Sequence, residues 1–259
     1  MPIQEVEKAF SDTTRLLLGE ALSGLDEYGA WLGKHVPLPS CAKSAISGED
    51  VWVPHPLVYL GKEFAKTKVI DMKEMDKIRE SPFSVDDIAG AGIRELREKF
   101  VKPLAFHCGN FRYWEYENVE KCSGAGDGRN LYYCEDSYVQ IKNVAFSNYP
   151  LYCQNVFGCH GIQKSSFTIH AYNSINVTRC LEVDGCSNSS DLLFCHNCEG
   201  VQSGLFCFNA KNLRYSIGNV PVGPEKFREV RAMVLREMLD ELKKKKICRF
   251  DIYNIGESR

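Results

Sequence analysis

The sequence predicts a mainly β protein, a parallel β-solenoid of the single-stranded β-helix kind set between an N-terminal helical cap and a C-terminal capping helix. Three observations predict it. A short phrase recurs from about residue 116 to residue 213: usually a small or sulfur-bearing residue, any residue, Asn, then Val, Ser or Leu. Its third slot holds Asn118, Asp136, Asn155, Asn173, Asn188, Gly200 and Asn212, at steps of 18, 19, 18, 15, 12 and 12. A repeat this short cannot bury its own apolar face and must stack on its neighbours. The same stretch is rich in β-branched, aromatic, Ser, Asn and Cys residues cut by Gly, which suits short strands joined by tight corners. Finally, an amphipathic segment follows the last repeat directly, as a solenoid needs to cover an open end.

Each element can be justified in order. Residues 4–22 form an amphipathic pattern around Val6, Phe10, Leu16, Leu17 and Leu18. A second short helix spans Leu25 to Leu32, anchored by Tyr28 and Trp31 and ended by Pro37 and Pro39. Ser47-Gly48-Glu49-Asp50 turns into an extended run, Val51-Trp52-Val53, stopped by Pro54 and Pro56. Leu57–Leu60 and Val69-Ile70 read as further strands. Ser84-Val85-Asp86-Asp87 has capping-box spacing and opens a helix to about Val101, weakened by Gly90 and Gly92. The repeats then occupy 105–222, after an N-terminal region of 1–104. Pro221-Val222-Gly223-Pro224 ends them, and Pro224 suits the first position of a long helix in the 223–259 segment. Phe227, Val230, Val234, Met238 and Leu242 fall on one stripe of that helix, and Phe250–Ile255 reads as a final strand.

Within a parallel solenoid, equivalent positions of successive coils lie about 4.8 Å apart. The seven third-slot residues are therefore expected to stack as one structural ladder, with amides bonding along it. Asn and Gly also tolerate the left-handed backbone of a tight corner. The Cys/Ala slot two residues earlier fits a crowded inward position. Handedness defaults to right-handed, because the irregular steps do not keep the six-residue period of left-handed hexapeptide solenoids.

Composition narrows the function classes. The formal charge of −2 divides into −4 over residues 1–100, −1 over 101–222 and +3 over 223–259. A slightly acidic body with a basic tail is unlike a dedicated nucleic-acid binder. No stretch approaches the roughly 18 apolar residues of a membrane span. The acidic N-terminus lacks a signal-peptide profile, which points to the cytoplasm. In that reducing compartment the twelve cysteines act as small packing residues or as metal ligands.

Residues 186–240 resemble the end of an uncharacterised prokaryotic family of Cys/Asn-rich β-solenoid repeat proteins. The motifs that carry the resemblance are Cys195-His196-Asn197-Cys198, Leu205-Phe206-Cys207-Phe208-Asn209 and Tyr215-Ser216-Ile217-Gly218-Asn219, together with the helix after them. The resemblance implies solenoid repeats that close on a helix, and no activity.

Candidate chemistry is sparse. Cys195, His196 and Cys198 have zinc-ligand spacing, with Cys153, Cys159, His160 and His170 as further donors. Packing is the competing role, since Cys198, Cys134, Cys153 and Cys186 sit in the small slot. Glu135 and Asp136 are adjacent and face different ways, unlike the paired carboxylates of glycan cleavage. Phe111, Tyr113, Trp114, Tyr116, Tyr132 and Tyr133 are expected to fill the end of the core. Gly124-Ala125-Gly126-Asp127-Gly128-Arg129 reads as a loop thrown out between coils. Lys243, Lys244, Lys245, Lys246 and Arg249 form the one basic cluster, a docking patch for RNA, a ribonucleoprotein or an acidic protein surface. The sequence thus leads to a non-enzymatic cytoplasmic scaffold that self-associates, most simply as a dimer, and docks on a ribosome or other RNA–protein particle without a cofactor. The rivals are a metal-binding or enzymatic β-helix using the Cys/His cluster with zinc, and a carbohydrate-active β-helix.

Overall fold

Every third residue of the repeat region turns a corner. The computed structural model describes residues 2–55, 68–79, 86 and 90–257. From Asp127 to Gly218, a φ between 45° and 65° recurs at every third position, with a single step of four between Asp136 and Gln140. Each corner is followed by one residue turned inward and one turned outward. Pairing registers give the coil length. Ser166 opposes Thr178, which opposes Ser190, then Gln202, then Arg214, a step of 12. Early coils take 13, as in Gly128 opposite Ile141. A coil of 12 with a corner every three residues has four corners. About nine such turns make a parallel β-solenoid, as the sequence predicts.

This geometry explains the irregular steps of the sequence phrase. Steps of 18, 15 and 12 are multiples of three, and the step of 19 spans the one four-residue corner. The phrase follows corners, not coils.

The strands are short because the corners cut them. They are β5 (Phe111–Glu120), β6 (Gly124–Tyr132), β7 (Ile141–Ala145), β8 (Asn148–Leu151), β9 (Gln154–Phe157), β10 (His160–Gln163), β11 (Ser166–Tyr172), β12 (Ile175–Asp184), β13 (Ser187–His196), β14 (Gln202–Leu205) and β15 (Arg214–Ile217). β16 (Val220–Pro221) folds back antiparallel on β15 and covers part of the last coil's edge. Ahead of the solenoid, β1 (Ser40–Lys43) pairs antiparallel with β2 (Asp50–Val53), and β3 (Lys68–Asp71) runs parallel to β4 (Phe106–Gly109).

The interior is filled by the inward residues, small or β-branched, among them Cys159, Ala171, Val183, Cys195 and Cys207 in one column. Inward serines and cysteines also serve the backbone. Ser174 Oγ donates to the Tyr172 carbonyl at 2.7 Å and accepts the Cys186 amide at 3.0 Å. Ser165, Ser189 and Ser147 repeat the arrangement. Cys159 Sγ accepts the Ala171 amide in the same way. A left-handed corner swings an amide into the core, and a buried amide needs an acceptor. This is why the inward slot favours Ser and Cys over Ala.

A second core lies outside the coils. Tyr132, Ala145, Phe157, Ile169, Leu181, Leu193, Leu205 and Ile217 oppose one another in turn along one outer flank. The N-terminal helix (Gln4–Leu18) packs on it through Val6, Phe10 and Leu17, with Phe10 edge-on to Phe157 at 5.4 Å. Gly19, at φ 89°, ends that helix four residues short of the expected Leu22. The C-terminal helix (Pro224–Lys245) brings Phe227, Leu235, Met238, Leu239 and Leu242 to the same core. Both helices are present as the sequence predicts, and their apolar stripes lie along the flank of the coils. Among the described residues no helix is long and apolar enough to cross a membrane.

Other expectations fare unevenly. The helical turn Leu25–Tyr28 continues into Gly29–Leu32, and the strands at Val51–Val53 and Val69-Ile70 form. The Leu57–Leu60 strand and the Ser84 cap lie outside the described residues. Helical turns run from Ile93 to Leu104, starting only after the left-handed Gly90. The Phe250–Ile255 segment is a chain of turns and not a strand, because the Asp251 carboxylate and carbonyl collect the amides of Tyr253, Asn254 and Ile255.

Candidate interaction site on the first coil

The Gly124–Arg129 stretch is no loop. It is the start of β6, paired with β5 on one side and β7 on the other, with its glycines buried. A Cβ on Gly124 would lie 2.1 Å from the Tyr138 hydroxyl, and one on Gly126 would lie 2.4 Å from the Tyr113 carbonyl oxygen. The glycines are there so that neighbouring aromatic segments can lie directly over the strand.

Not all of the aromatics of this region are core. Tyr132 is buried, but Tyr113, Trp114 and Tyr116 are 41%, 73% and 51% exposed. The expectation that the cluster fills the core holds for Tyr132 and Tyr133 and fails for Tyr113, Trp114 and Tyr116, because β5 is the terminal strand of the sheet, pairing with β6 alone among the described strands. Its outer edge has no strand partner among the described residues, its pairing with β6 shifts register between Tyr113 and Tyr116, and the six residues Tyr113 to Asn118 are all solvent-exposed. Phe111 and Tyr113 stack at 6.3 Å, and Trp114 meets the Tyr138 ring edge-on at 6.4 Å.

Asn110 fixes β5 against the N-terminal strands. Its left-handed φ of 51° turns the chain from β4 into β5. Its Oδ1 accepts the Trp52 amide at 2.9 Å, and its Nδ2 donates to Asp71 Oδ2 at 2.7 Å. Between these parts lies a cleft of about 660 Å³, walled by Trp52, Met72, Arg112, Tyr116, Val119 and Lys121. Arg112 is held by the carbonyls of Phe111 and Cys122. Lys121 bonds the Tyr132 hydroxyl and lies 4.7 Å over its ring. Sequence reasoning singled out Tyr116 but missed Trp52, Asn110 and Arg112, since only tertiary pairing brings residues 52 and 110 together.

The ladder residues all occupy left-handed corners. They do not form one stack, because four corners per coil distribute them over three columns. Asn118 and Asn155 share one, bridged by Asn130 and Asn143 through amide bonds of 2.9, 2.8 and 2.8 Å. Asp136 and Asn173 lie in a second, and Asn188, Gly200 and Asn212 in a third.

Cys195 and Cys198 point into the core while His196 points out, its Nδ1 2.9 Å from Asp184 Oδ2. The three are therefore not brought together. Cys153 and Cys159 are likewise buried inside the coils, where burial pushes their thiols up to about 11 and about 12. His170 pairs with Glu182 at 2.5 Å beneath Trp31, and His160 is part-buried. Among the described residues no three His, Cys, Asp or Glu side chains gather to hold a metal. Glu135 is buried, its carboxyl pushed up to about 8 by burial, while Asp136 sits at the adjoining corner.

The lysine cluster is largely consumed internally. Lys243 pairs with Glu20, Lys245 with Glu241 at 2.9 Å, and Lys246 with Glu27 at 2.8 Å. Lys246 also lies 4.7 Å over the Tyr28 ring, and Arg249 packs on Phe250. The contacts of Lys243 and Lys246 clamp the C-terminal helix to the N-terminal region. No protein-family model matches this chain, and no curated protein shows significant similarity to it.

Proposed function

We propose that the chain is a cytoplasmic, non-enzymatic scaffold that associates with a second copy of itself through the first coil. The observation that carries this reading is the outer edge of β5, which has no strand partner among the described residues. A parallel edge strand with unpaired backbone groups and exposed aromatics is a template for further pairing unless it is blunted. Its sequence carries no proline. The opposite end of the sheet is treated differently, since β16 turns back over β15 and ends in Pro221. A symmetric pair of first coils would bury Tyr113, Trp114 and Tyr116 against their counterparts.

Docking on a ribosome or another RNA–protein particle draws less support. Of the four lysines, Lys244 alone lacks an ion pair among the described residues.

Sedimentation equilibrium across a concentration series tests the proposal, comparing the full chain with a Trp114→Lys/Tyr116→Lys variant. A concentration-dependent dimer that the variant loses is the expected result. A monomer at all concentrations, or a dimer indifferent to the substitutions, would refute self-association through this edge.

A further inference from the structure

The C-terminal helix carries a second set of cations that the lysine run conceals. Arg228, Arg231 and Arg236 line one cleft of about 490 Å³ between that helix and the end of the N-terminal helix. Arg228 and Arg236 are exposed and make no ion pair or hydrogen bond among the described residues. This contrasts with the lysines of the same helix, where Lys226, Lys243 and Lys245 each hold a carboxylate.

Arg231 is more telling. It is part-buried, its Nε is sealed from solvent with no partner among the described residues, and its NH2 reaches the Leu17 carbonyl at 3.5 Å. Burial pulls its guanidinium below the usual arginine range, against the opposing pull of Asp191. Asp191 is not free to neutralise it, because Arg179 grips both its carboxylate oxygens at 2.7 Å. Glu20, the acidic residue of the cleft wall, is held by Lys243. A desolvated guanidinium without a committed counter-ion is costly. Arginine at the end of a neighbouring helix is commonly a carbonyl cap, and Arg231 does that in part. The cap role leaves Arg228 and Arg236 unexplained.

The rest of the cleft is apolar. Leu16, Leu18, Leu235 and Leu239 form its wall, and Leu16 is 48% exposed there. We propose that this cleft binds a phosphate monoester carrying a short apolar chain, the phosphate held by the three guanidinium groups and the chain laid on the leucines. Guanidinium forks match phosphate oxygens in geometry as well as charge. The volume lies in the range of small-molecule sites. This site is on a different face from the β5 edge and stands or falls independently of self-association.

Titration calorimetry of the full chain tests it with octyl phosphate, inorganic phosphate, octanol and an oligouridylate as probes. Octyl phosphate is expected to bind at one site per chain, inorganic phosphate more weakly, and octanol not at all. The Arg228→Ala/Arg236→Ala variant alters exposed positions and keeps the fold, verified by its circular dichroism. It is expected to weaken octyl phosphate binding about tenfold or more, the loss of charge-assisted hydrogen bonds. Absence of saturable octyl phosphate binding would overturn the proposal. So would equal affinity in the variant, or an affinity for octanol matching that for octyl phosphate. Tighter binding of the oligouridylate than of octyl phosphate would also overturn it, in favour of a surface that reads a nucleic-acid backbone.

Discussion

At the scale of the residue, the dominant constraint is the left-handed corner. A non-glycine residue in that conformation costs about 1–2 kcal/mol, yet the corners include Tyr133, Phe146, Phe194 and Arg179. The cost is offset by the inter-coil backbone bonds that the corners make possible and by inward side chains that receive the swung amides. Ser174 shows the second device clearly, because its hydroxyl is fully buried and bonds both coils. Ser174→Ala leaves the Cys186 amide without an acceptor and should destabilise the chain by about 1–3 kcal/mol. Ser174→Cys should recover most of that loss, since Cys186 and Cys198 occupy the same inward column in the next two coils. Urea denaturation of both variants checks the pair of outcomes. Equal losses for Ala and Cys would mean that a thiol cannot take over the bonds of the hydroxyl at this position.

At the scale of the element, β5 depends on the glycines beneath it. Gly126→Ala would set a methyl group 2.4 Å from the Tyr113 carbonyl and 2.9 Å from the Trp114 ring. Backbone cannot yield as a flexible side chain can, so β5 must lift from β6, at a cost of about 1–3 kcal/mol. The damage should stay local, because a solenoid coil contacts only its neighbours. Hydrogen exchange should therefore quicken in β5 and β6 while β12 and β13 keep their protection. Uniform loss of protection along all coils would show that the first coil nucleates the whole stack.

At the scale of the whole molecule, two cores are tied together by the chain's ends. The inner core runs through the coils, and the outer core joins their flank to the two helices. After the C-terminal helix the tail returns to the solenoid, where Glu182 accepts the Ile252 amide at 3.0 Å. Asp251 meets Lys34 and lies 3.0 Å from His35 Nε2. Burial alone would raise the Asp251 carboxyl, but His35 and Lys34 prevail and lower it from 3.8 to about 2. A carboxyl depressed by folding contributes stability above its unfolded value, lost as pH falls through the folded one. The tail should therefore loosen between about pH 4 and pH 2, read as proteolytic cleavage or exchange confined to residues 247–257. Asp251→Asn should loosen it at neutral pH and flatten that acid response. A variant that kept the wild-type acid profile would place the titrating group elsewhere.

Much of the architecture is carried by local pattern. The parallel solenoid, the two amphipathic helices and the packing role of the small slot follow from residue type and spacing, which act over a few residues. The three-residue period was also legible: Asn or Gly falls three apart at Asn173 and Asn176, Gly185 and Asn188, Asn197 and Gly200, and Asn209 and Asn212. The recurring phrase masks it, since its copies sit at different corners of the coil. Tertiary structure alone decided the rest. Whether Gly124 and Gly126 lie in a loop or beneath aromatic side chains depends on Tyr113 and Tyr138 in other segments. Whether Lys243 or Arg228 keeps a free charge depends on where Glu20 and the N-terminal helix come to rest. Charge pairing and edge exposure are properties of distant parts brought together, and no local periodicity encodes them.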